Sequence, residues 1–245
     1  ARVKFQVEDP AKTRGTLCLA FDDTHNFETW KNALPLFEKY GARATFFFNG
    51  KIDGKVLEAM NLLQGKGHSI GFHGVAHAPA TKLLGGLGEE GYLKAEILPQ
   101  IEAAKAEGYD VRNFAYPFSN YDSTTERVLA KHFKRRRTDC IWNRDPAVRP
   151  LASCDELYHS QDEFAGLSLL KAHGIGSDVA GIDADVAGGV RRLAERDEAM
   201  VLCSHKIVTD GRKSPSHMAW QTLETILRTA KECGVRVIGF DEIGR

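Results

Sequence analysis

The sequence predicts an α/β protein, and within that class a distorted (β/α) barrel of about seven parallel strands. Short runs of apolar and β-forming residues alternate with segments of helical periodicity along the whole chain. The first apolar run ends in two adjacent carboxylates, which is typical of the carboxyl end of a buried parallel strand. At 245 residues, the chain has the length of one such barrel, so we expect a single domain over 1-245.

Each expected strand is a short run of apolar or β-forming side chains. An irregular polar lead-in over 1–15 precedes the first of these runs, which begins at Thr16 and is closed by charge. A later run is interrupted by Pro117, which cannot donate a hydrogen bond to a strand ladder. The expected strands are, in order, 16–21, 44–48, 69–73, 113–118, 135–141, 169–173, 199–205 and 235–240.

Between these strands, apolar residues recur every three or four positions, which indicates amphipathic helices. Trp30 and Leu34 follow this spacing, and Gly41 is a typical C-terminal signal for the helix that carries them. The glycine-rich stretch 85–88 is expected to be a loop, and 142–181 a long loop with one strand. The expected helices are 27–40, 56–63, 89–108, 124–131, 183–196 and 218–233.

The composition argues against several functional classes. The chain has 33 basic and 33 acidic residues and a formal net charge of +0, which disfavours nucleic acid or an anionic membrane as the main partner. No apolar run approaches the roughly 18 residues of a membrane span. The sequence has no glycine-rich dinucleotide turn and no phosphate-binding loop, so dinucleotide and nucleoside triphosphate enzymes are disfavoured. The five cysteines form no Cys-x-x-Cys pair, so a structural zinc site of that kind is not expected.

The first residue of the chain bears on its cellular location. The sequence begins at Ala1 without methionine, which fits a secreted or cell-envelope protein after removal of a leader. A trimmed chain fits equally well, so a cytoplasmic location stays open. The sequence does not indicate the oligomeric state.

Asp22 and Asp23 end the first strand and are the first candidate functional residues. The carboxyl ends of parallel strands are where ligands and catalytic groups collect in α/β proteins. Adjacent residues at a strand end point in opposite directions, so one carboxylate can bind a metal while its neighbour transfers protons. A strand followed by a helix-capping aspartate is the ordinary alternative.

His73 and His77 form the second candidate group, directly after the third expected strand. An extended chain would separate them by about 13 Å, too far for two ligands of one ion. Gly74 allows the turn that would bring them together. Two histidines and one carboxylate are a common catalytic zinc set. Two unrelated loop histidines remain the alternative for this pair by itself.

The order of these pieces resembles that of the polysaccharide deacetylases, the NodB-like family also called carbohydrate esterase family 4. The resemblance runs from about Thr16 to Ile243 and implies the NodB-like deacetylase fold. The matching stretches are Ala20-Phe21-Asp22-Asp23-Thr24, His73 to His77, Ala115-Tyr116-Pro117-Phe118, Leu202-Cys203-Ser204-His205, and the closing strand with Asp241-Glu242-Ile243.

The resemblance implies a separate role for each residue of the site. Asp22 would be the catalytic base and His205 the catalytic acid. The backbone N–H of Phe118 would donate to the oxyanion. One divalent metal ion, expected to be zinc, is implied as the cofactor. Its implied ligands are Asp23, His73 and His77.

The chain departs from the family pattern at several positions. Thr24 stands in place of glycine and Gly74 in place of serine or threonine, and neither side chain is a ligand in the family. Ala115 replaces the arginine that orients the base aspartate. Arg137 and Arg149 are the candidate substitutes, with Arg137 near the end of an expected neighbouring strand.

Two aromatic residues are candidates for the substrate pocket. Tyr116 and Trp142 could stack on a sugar or wall an acetyl pocket, and a packing role fits each equally. The family's Asp-x-x-Asp-Trp motif, which tunes the acid histidine, is not recognisable. Trp142, which follows Asp139, is its nearest remnant.

Together these residues predict a metal-dependent polysaccharide or oligosaccharide deacetylase acting on an N- or O-acetylated carbohydrate. The balanced charge fits a neutral glycan. Two alternatives stay open: another amide or cyclic-amide hydrolase on the same scaffold, and a catalytically impaired carbohydrate-binding domain. The missing motif arginine favours the impaired domain. Asp22 and His205 argue against it, since binding alone needs neither.

Overall fold

A closed barrel of seven parallel strands is the centre of the structure, a computed structural model that describes residues 13–141 and 144–245. The strands are β1 (Thr16–Asp22), β2 (Thr45–Phe48), β3 (Ser69–Phe72), β4 (Asn113–Ala115), β5 (Arg135–Ile141), β6 (His159–Ser160), β7 (Leu169–Gly174), β8 (Glu198–Ser204), β9 (Lys206–Val208), β10 (His217–Ala219) and β11 (Arg236–Ile238). The barrel runs β1-β2-β3-β4-β5-β7-β8 and closes where β8 pairs with β1. The predicted fold class is therefore confirmed.

The remaining strands extend this barrel without changing its closure. β11 pairs in parallel with the first half of β1, and β2 pairs with the second half. β6 lies antiparallel to the start of β8. β9 and β10 form a separate two-stranded parallel sheet. Because the barrel strands are parallel, all of their carboxyl ends lie at the same end of the barrel.

Helices cover the outside of the barrel. They are α1 (Phe27–Tyr40), α2 (Gly54–Gly65), α3 (Ala80–Tyr92), α4 (Leu98–Ala106), α5 (Ser123–Leu129), α6 (Gln161–Gly166), α7 (Ile182–Arg196) and α8 (Trp220–Cys233). As predicted, α1 ends at Gly41, which adopts φ +66, the left-handed conformation that closes many helices. No helix in the described ranges has both the length and the apolar character needed to cross a bilayer.

Alternation along the strands separates the core into two layers. Leu17, Leu19 and Phe21 belong to the large cluster between barrel and helices. Cys18 and Ala20 belong to a smaller cluster that alternate residues of the other barrel strands complete. This smaller cluster is the barrel interior. Asp22 follows the same alternation, because it comes two residues after Ala20 in β1. The strand pattern therefore directs the first of the two adjacent aspartates into the barrel.

Three local expectations were wrong. The glycine-rich stretch predicted as a loop lies inside α3, where Gly88 alone departs from helical angles at φ 70 and ψ 174. A π-helical segment, Leu93–Ile97, then joins α3 to α4. α8 begins at Trp220, because the preceding residues pair with β9. The region expected to be a long loop contains β6 and α6.

Candidate metal centre and active site

The candidate residues meet at the carboxyl end of the barrel. Asp22 is the last residue of β1, and Asp23 follows it. His73 comes directly after β3, and His205 directly after β8. β2 lies between β1 and β3, whereas β8 is the other neighbour of β1 within the barrel. The barrel topology therefore gathers four residues that are up to 183 positions apart in the sequence.

Asp23, His73 and His77 form a group that could hold a metal ion, with one ligand atom from each within 4.8 Å of the others. His73 Nε2 and His77 Nε2 are 3.0 Å apart. Asp23 Oδ1 lies 3.5 Å from His77 Nε2 and 4.0 Å from His73 Nε2. Ligands of a tetrahedral zinc ion are separated by about 3.3 Å, given bonds of about 2.0 Å. The two nitrogens and one oxygen therefore fit a divalent ion of this class.

The turn between the two histidines has the conformation that their approach requires. Gly74 adopts φ +78, and His77 itself adopts φ 51. His73 Nδ1 donates to the carbonyl oxygen of Ala115 at 2.8 Å, because a carbonyl can only accept. That hydrogen bond places the ring proton on Nδ1 and leaves the Nε2 lone pair directed at the cluster.

Asn49 holds the carboxylate of Asp23 and was not identified from the sequence. Its Nδ2 donates to Asp23 Oδ1 at 3.0 Å, and its Oδ1 accepts from the Thr24 N–H at 2.9 Å. Asn49 directly follows β2, so a polar residue immediately after an apolar strand was the available signal. Position 24 thus contributes its backbone N–H to the site, and the threonine hydroxyl bonds the Asn49 carbonyl at 2.6 Å.

Backbone strain is concentrated at this end of the barrel. Five non-glycine residues in the described part of the chain have positive φ, and four of them lie at this site. The four are Asp23, His77, Phe118 and Ser119. Such conformations cost roughly 1–3 kcal/mol each and persist where the surrounding structure demands them. Backbone strain of this kind is typical of functional sites, where a particular geometry is maintained at a cost in stability.

Asp22 is buried inside the barrel against Arg137. An oxygen of Asp22 accepts from Arg137 Nη2 in a fully buried ion pair. Burial alone would raise the pKa of Asp22, but Arg137, with His73 and His205, lowers it below its ordinary value. The carboxylate is therefore held ionised although it is buried. Its second oxygen, Oδ1, has no hydrogen-bond partner among the described residues.

Arg137 reaches Asp22 from the strand next to the position where the family pattern has its arginine. Ala115 on β4 and Arg137 on β5 are register partners in the parallel ladder. Both side chains point into the barrel, and the small Ala115 leaves space for the guanidinium. The guanidinium therefore comes from the neighbouring strand, but from the same level along the barrel axis as Ala115.

A second carboxylate, that of Asp139, holds the other side of this guanidinium. Arg137 Nη1 donates to Asp139 Oδ1 at 2.5 Å. The Cys203 thiol also donates to Asp139 Oδ1, at 3.0 Å. Burial, reinforced by Asp139, raises the pKa of Cys203 well above its ordinary value, so the thiol is a neutral donor. Neither contact was expected from the sequence, where Cys203 appeared to be an ordinary strand residue and Asp139 was noted only as the residue that Trp142 follows.

His205 lies beside the group formed by Asp23, His73 and His77. Its Nε2 lies 3.8 Å from Asp23 Oδ2, and its side chain is 35% exposed. Its backbone is fixed at both ends, because the Trp30 indole N–H donates to its carbonyl oxygen at 2.7 Å and its own N–H donates to Ser216 at 3.1 Å. Phe118, which is 63% exposed, forms another wall of the site, and the centre of its ring lies 4.6 Å from that of His77.

Two of the candidate residues, Arg149 and Tyr116, do not reach this site. Arg149 is exposed and bonds Glu156, so it does not orient Asp22. Tyr116 is buried on the outside of the barrel, where its hydroxyl donates to Glu126 at 2.6 Å. It packs rather than binds a sugar, because strand alternation turns it away from the interior occupied by Ala115. Trp142 lies outside the described residues.

Comparisons with known proteins give the same assignment for the fold and the family. The family model described as "Polysaccharide deacetylase" matches residues 9–134. A chitin deacetylase of Arthroderma benhamiae is 28% identical over 121 residues, which are 48% of this chain and 31% of that protein. The chain therefore spans about a third of the length of that relative.

Solved structures match the fold over nearly the whole chain. Peptidoglycan deacetylase PdaC from Bacillus subtilis has a TM-score of 0.55 at 18% identity, covering 94% of this chain and 90% of PdaC. The family 4 carbohydrate esterase from Streptomyces lividans, solved in complex with acetate, has a TM-score of 0.53 at 18% identity and covers 91% of both chains.

Proposed function

This chain belongs to the polysaccharide deacetylase family, and from that premise we propose that it is a metal-dependent hydrolase that removes acetyl groups from a carbohydrate. The observation that carries the proposal is the joint geometry of three groups at the carboxyl end of the barrel. These groups are the Asp23, His73 and His77 cluster, the buried Asp22–Arg137 pair, and His205 facing the cluster. The residues proposed as ligands, base and acid therefore lie within one small site.

One divalent ion, proposed to be zinc, would be held by Asp23, His73 and His77. When bound, such an ion lowers the pKa of a coordinated water and polarises the acetyl carbonyl. Asn49 and the carbonyl of Ala115 hold two of the three ligands in place, so the site is organised before the ion arrives.

Asp22 is the proposed base, since it is ionised, buried and adjacent to the ligand residue Asp23. Its free Oδ1 is the atom to which we assign the proton taken from the attacking water. Arg137 holds the other oxygen and so fixes the direction of the carboxylate. The base needs this partner because a buried carboxylate without a cation would be protonated.

His205 is the proposed acid that protonates the leaving amine or alcohol. Its Nε2 faces the cluster, and its partly exposed ring is accessible from the solvent side where a substrate would enter. We assign the stabilisation of the oxyanion to the backbone N–H of Phe118, as the family pattern implies. The positive φ of Phe118 shows that its peptide is held in an uncommon orientation.

The proposed substrate is an N- or O-acetylated carbohydrate, which the balanced charge of the chain does not repel. We also propose that the chain is one catalytic domain, because strands from residue 16 to residue 238 belong to one sheet. The absent motif arginine had favoured an impaired binding domain. The Asp22–Arg137 pair supports an active enzyme instead, since a guanidinium reaches Asp22 from the next strand.

Acetate release from defined acetylated oligosaccharides tests this proposal. The zinc-loaded protein would be incubated with N-acetylglucosamine oligomers and with O-acetylated xylooligosaccharides, and acetate would be measured enzymatically. We expect release from at least one of the two classes, and release roughly 10²-fold to 10⁴-fold slower from the Asp22→Asn variant. Binding of the oligomers without acetate release by the wild type would instead support the binding-domain alternative. Hydrolysis of simple or cyclic amides alone would support a different hydrolase on this scaffold.

A further inference from the structure

We propose that Glu96 is a positioning residue of the metal centre, whose buried carboxylate fixes the turn that carries His73 and His77. Glu96 is 1% exposed and lies on the π-helical segment that joins α3 to α4. The inference rests on the proposed function in one respect only, namely that the histidines of this turn are metal ligands.

Glu96 bonds the backbone of the histidine turn at several points. Its Oε2 accepts from the Ala76 N–H at 2.8 Å, and its Oε1 accepts from the Ala78 N–H at 3.2 Å. Its own carbonyl oxygen accepts from the Val75 N–H at 3.1 Å. The carboxylate thus bonds the residues on both sides of His77, a ligand residue that is itself held at positive φ.

The glycine of the turn explains how the carboxylate comes so close. A Cβ at Gly74 would overlap Glu96 Oε1 and lie 3.0 Å from its Cδ. The absence of a side chain at Gly74 is therefore needed for two reasons, the positive φ and the space taken by Glu96. Where the family pattern has a serine or threonine, this chain has a glycine and a buried glutamate beside it.

A second polar side chain on the following turn holds the neighbouring loop. Gln100 Nε2 donates to the carbonyl oxygens of Phe48 and Gly50, at 3.0 and 2.9 Å. The loop between these two residues contains Asn49, which bonds Asp23. The two loops are also joined directly, because the Gly50 N–H donates to the Gly74 carbonyl at 3.0 Å. One helix face therefore supports both loops that carry or hold the ligand residues.

The effect of removing Glu96 follows from these contacts. Without its carboxylate, two N–H groups of the turn lose their acceptor, and the backbone of His77 is no longer held on both sides at its positive φ. Nε2 of His77 then moves relative to His73 and Asp23. Loss of an outer partner of this kind weakens metal binding by roughly 10-fold to 100-fold. A glutamate that merely stabilised the fold would change the free energy of unfolding and leave the metal dissociation constant unaltered.

The test measures the zinc dissociation constant of purified variants by competition with a chromogenic chelator, and their unfolding by urea. We expect Glu96→Ala to raise the dissociation constant roughly 10-fold to 100-fold. Glu96→Gln keeps one acceptor oxygen but turns an NH₂ group toward the other N–H, so we expect a smaller increase. If Glu96→Ala does not fold, Glu96→Gln carries the test.

Glu198→Gln is the matched control. Glu198 is also a largely buried carboxylate, but it bonds Arg192 at the amino-terminal end of β8, away from the metal-ligand group. We expect this variant to lose stability while its zinc dissociation constant stays that of the wild type. Destabilised Glu96 variants whose dissociation constants stay within twofold of the wild type would overturn the proposal.

The measurement needs no substrate, so it separates the two proposals. A wild type that binds zinc but releases no acetate would remove the proposed activity and leave the inference about Glu96 to be decided by the dissociation constants. A wild type that binds no zinc would overturn both, because the histidine turn would then not be part of a metal site.

Discussion

Arg135 and Arg137 are two buried arginines on one face of β5, and their surroundings are opposite. Arg135, near the amino-terminal end of the barrel, donates to the carbonyl oxygens of Leu167 and Ile243, at 2.6 and 2.9 Å. Arg137, two residues nearer the carboxyl end, is held by the carboxylates of Asp22 and Asp139. The two ends of one barrel interior therefore place the same side chain in a neutral and in an anionic environment.

The two environments have opposite effects on the guanidinium groups. Burial lowers the pKa of Arg135, and its neighbours Cys18 and Asp241 only partly oppose this. Burial would also lower the pKa of Arg137, but Asp22 and Asp139 raise it above its ordinary value. Arg135 therefore donates to buried backbone carbonyls at the amino-terminal end of the barrel, whereas Arg137 keeps the carboxylate of Asp22 charged. Partners, and not residue type, distinguish the structural Arg135 from Arg137, for which we propose a role in orienting the base.

Metal removal should have the largest effect on activity, and it should affect the carboxyl end of the barrel while leaving the amino-terminal end intact. We expect chelation to abolish acetate release while far-UV circular dichroism and the urea midpoint change little. The reason is that the large apolar core and the Arg135 contacts do not depend on the ligand turn, unlike the core of a small zinc domain. Readdition of zinc should restore the rate. Full activity in a sample shown to be metal-free would end the mechanism proposed here.

Substitutions of the two adjacent aspartates should have different consequences, and their effect on the rate should be the next largest. Asp23→Ala should lose metal and activity together, because two histidines are too few for a tight catalytic zinc site. Asp22→Asn should keep its metal while its rate falls by roughly 10²-fold to 10⁴-fold, the usual contribution of a general base. Metal analysis of both variants beside their acetate-release rates decides the assignment. Metal lost in Asp22→Asn and kept in Asp23→Ala would mean that the two roles are reversed.

A smaller effect on rate is expected at Arg137, and it tests the arginine comparison directly. Arg137→Met should keep bound zinc but lower the rate by roughly 10-fold to 100-fold, because the base is no longer held in one direction. Arg135→Met should leave the rate per folded molecule unchanged and lower the free energy of unfolding by about 1–3 kcal/mol, since buried carbonyls lose their donor. Rates, zinc content and urea unfolding of both variants provide the comparison.

Two further variants are controls for the Arg137 prediction. The double variant Ala115→Arg with Arg137→Ala places a guanidinium on the register partner and should recover part of the lost rate. Arg149→Met should change neither rate nor zinc content, because its ion pair with Glu156 is exposed and such pairs contribute about 0–1 kcal/mol. A wild-type rate in Arg137→Met would remove the orienting role from this arginine.

Much of the fold could be predicted because hydrophobic period and chain length are local properties. The runs at β1, β2 and β8 are apolar enough to be identified without any partner, and their parallel order follows from the intervening helices. Most of the helix α3 was missed, since glycine has low helix propensity; in the structure this helix packs against α5 and the π-helical segment. The two-residue strand β6 has no detectable period of its own and depends on its ladder with β8.

For the site, the sequence by itself determined which residues could bind a metal or transfer a proton. The two aspartates at a strand end and the pair of spaced histidines are motifs that can be recognised in the sequence without a structure. Tertiary structure alone decided which arginine meets Asp22. Arg137 and Arg149 are equivalent as letters, and only the β4–β5 register places one of them beside Ala115. The same holds for the contacts of Asn49 and Glu96, whose partners are distant in the sequence and are brought close by the fold. Motifs are properties of neighbouring residues along the chain, whereas these contacts join residues that closure of the sheet makes neighbours in space.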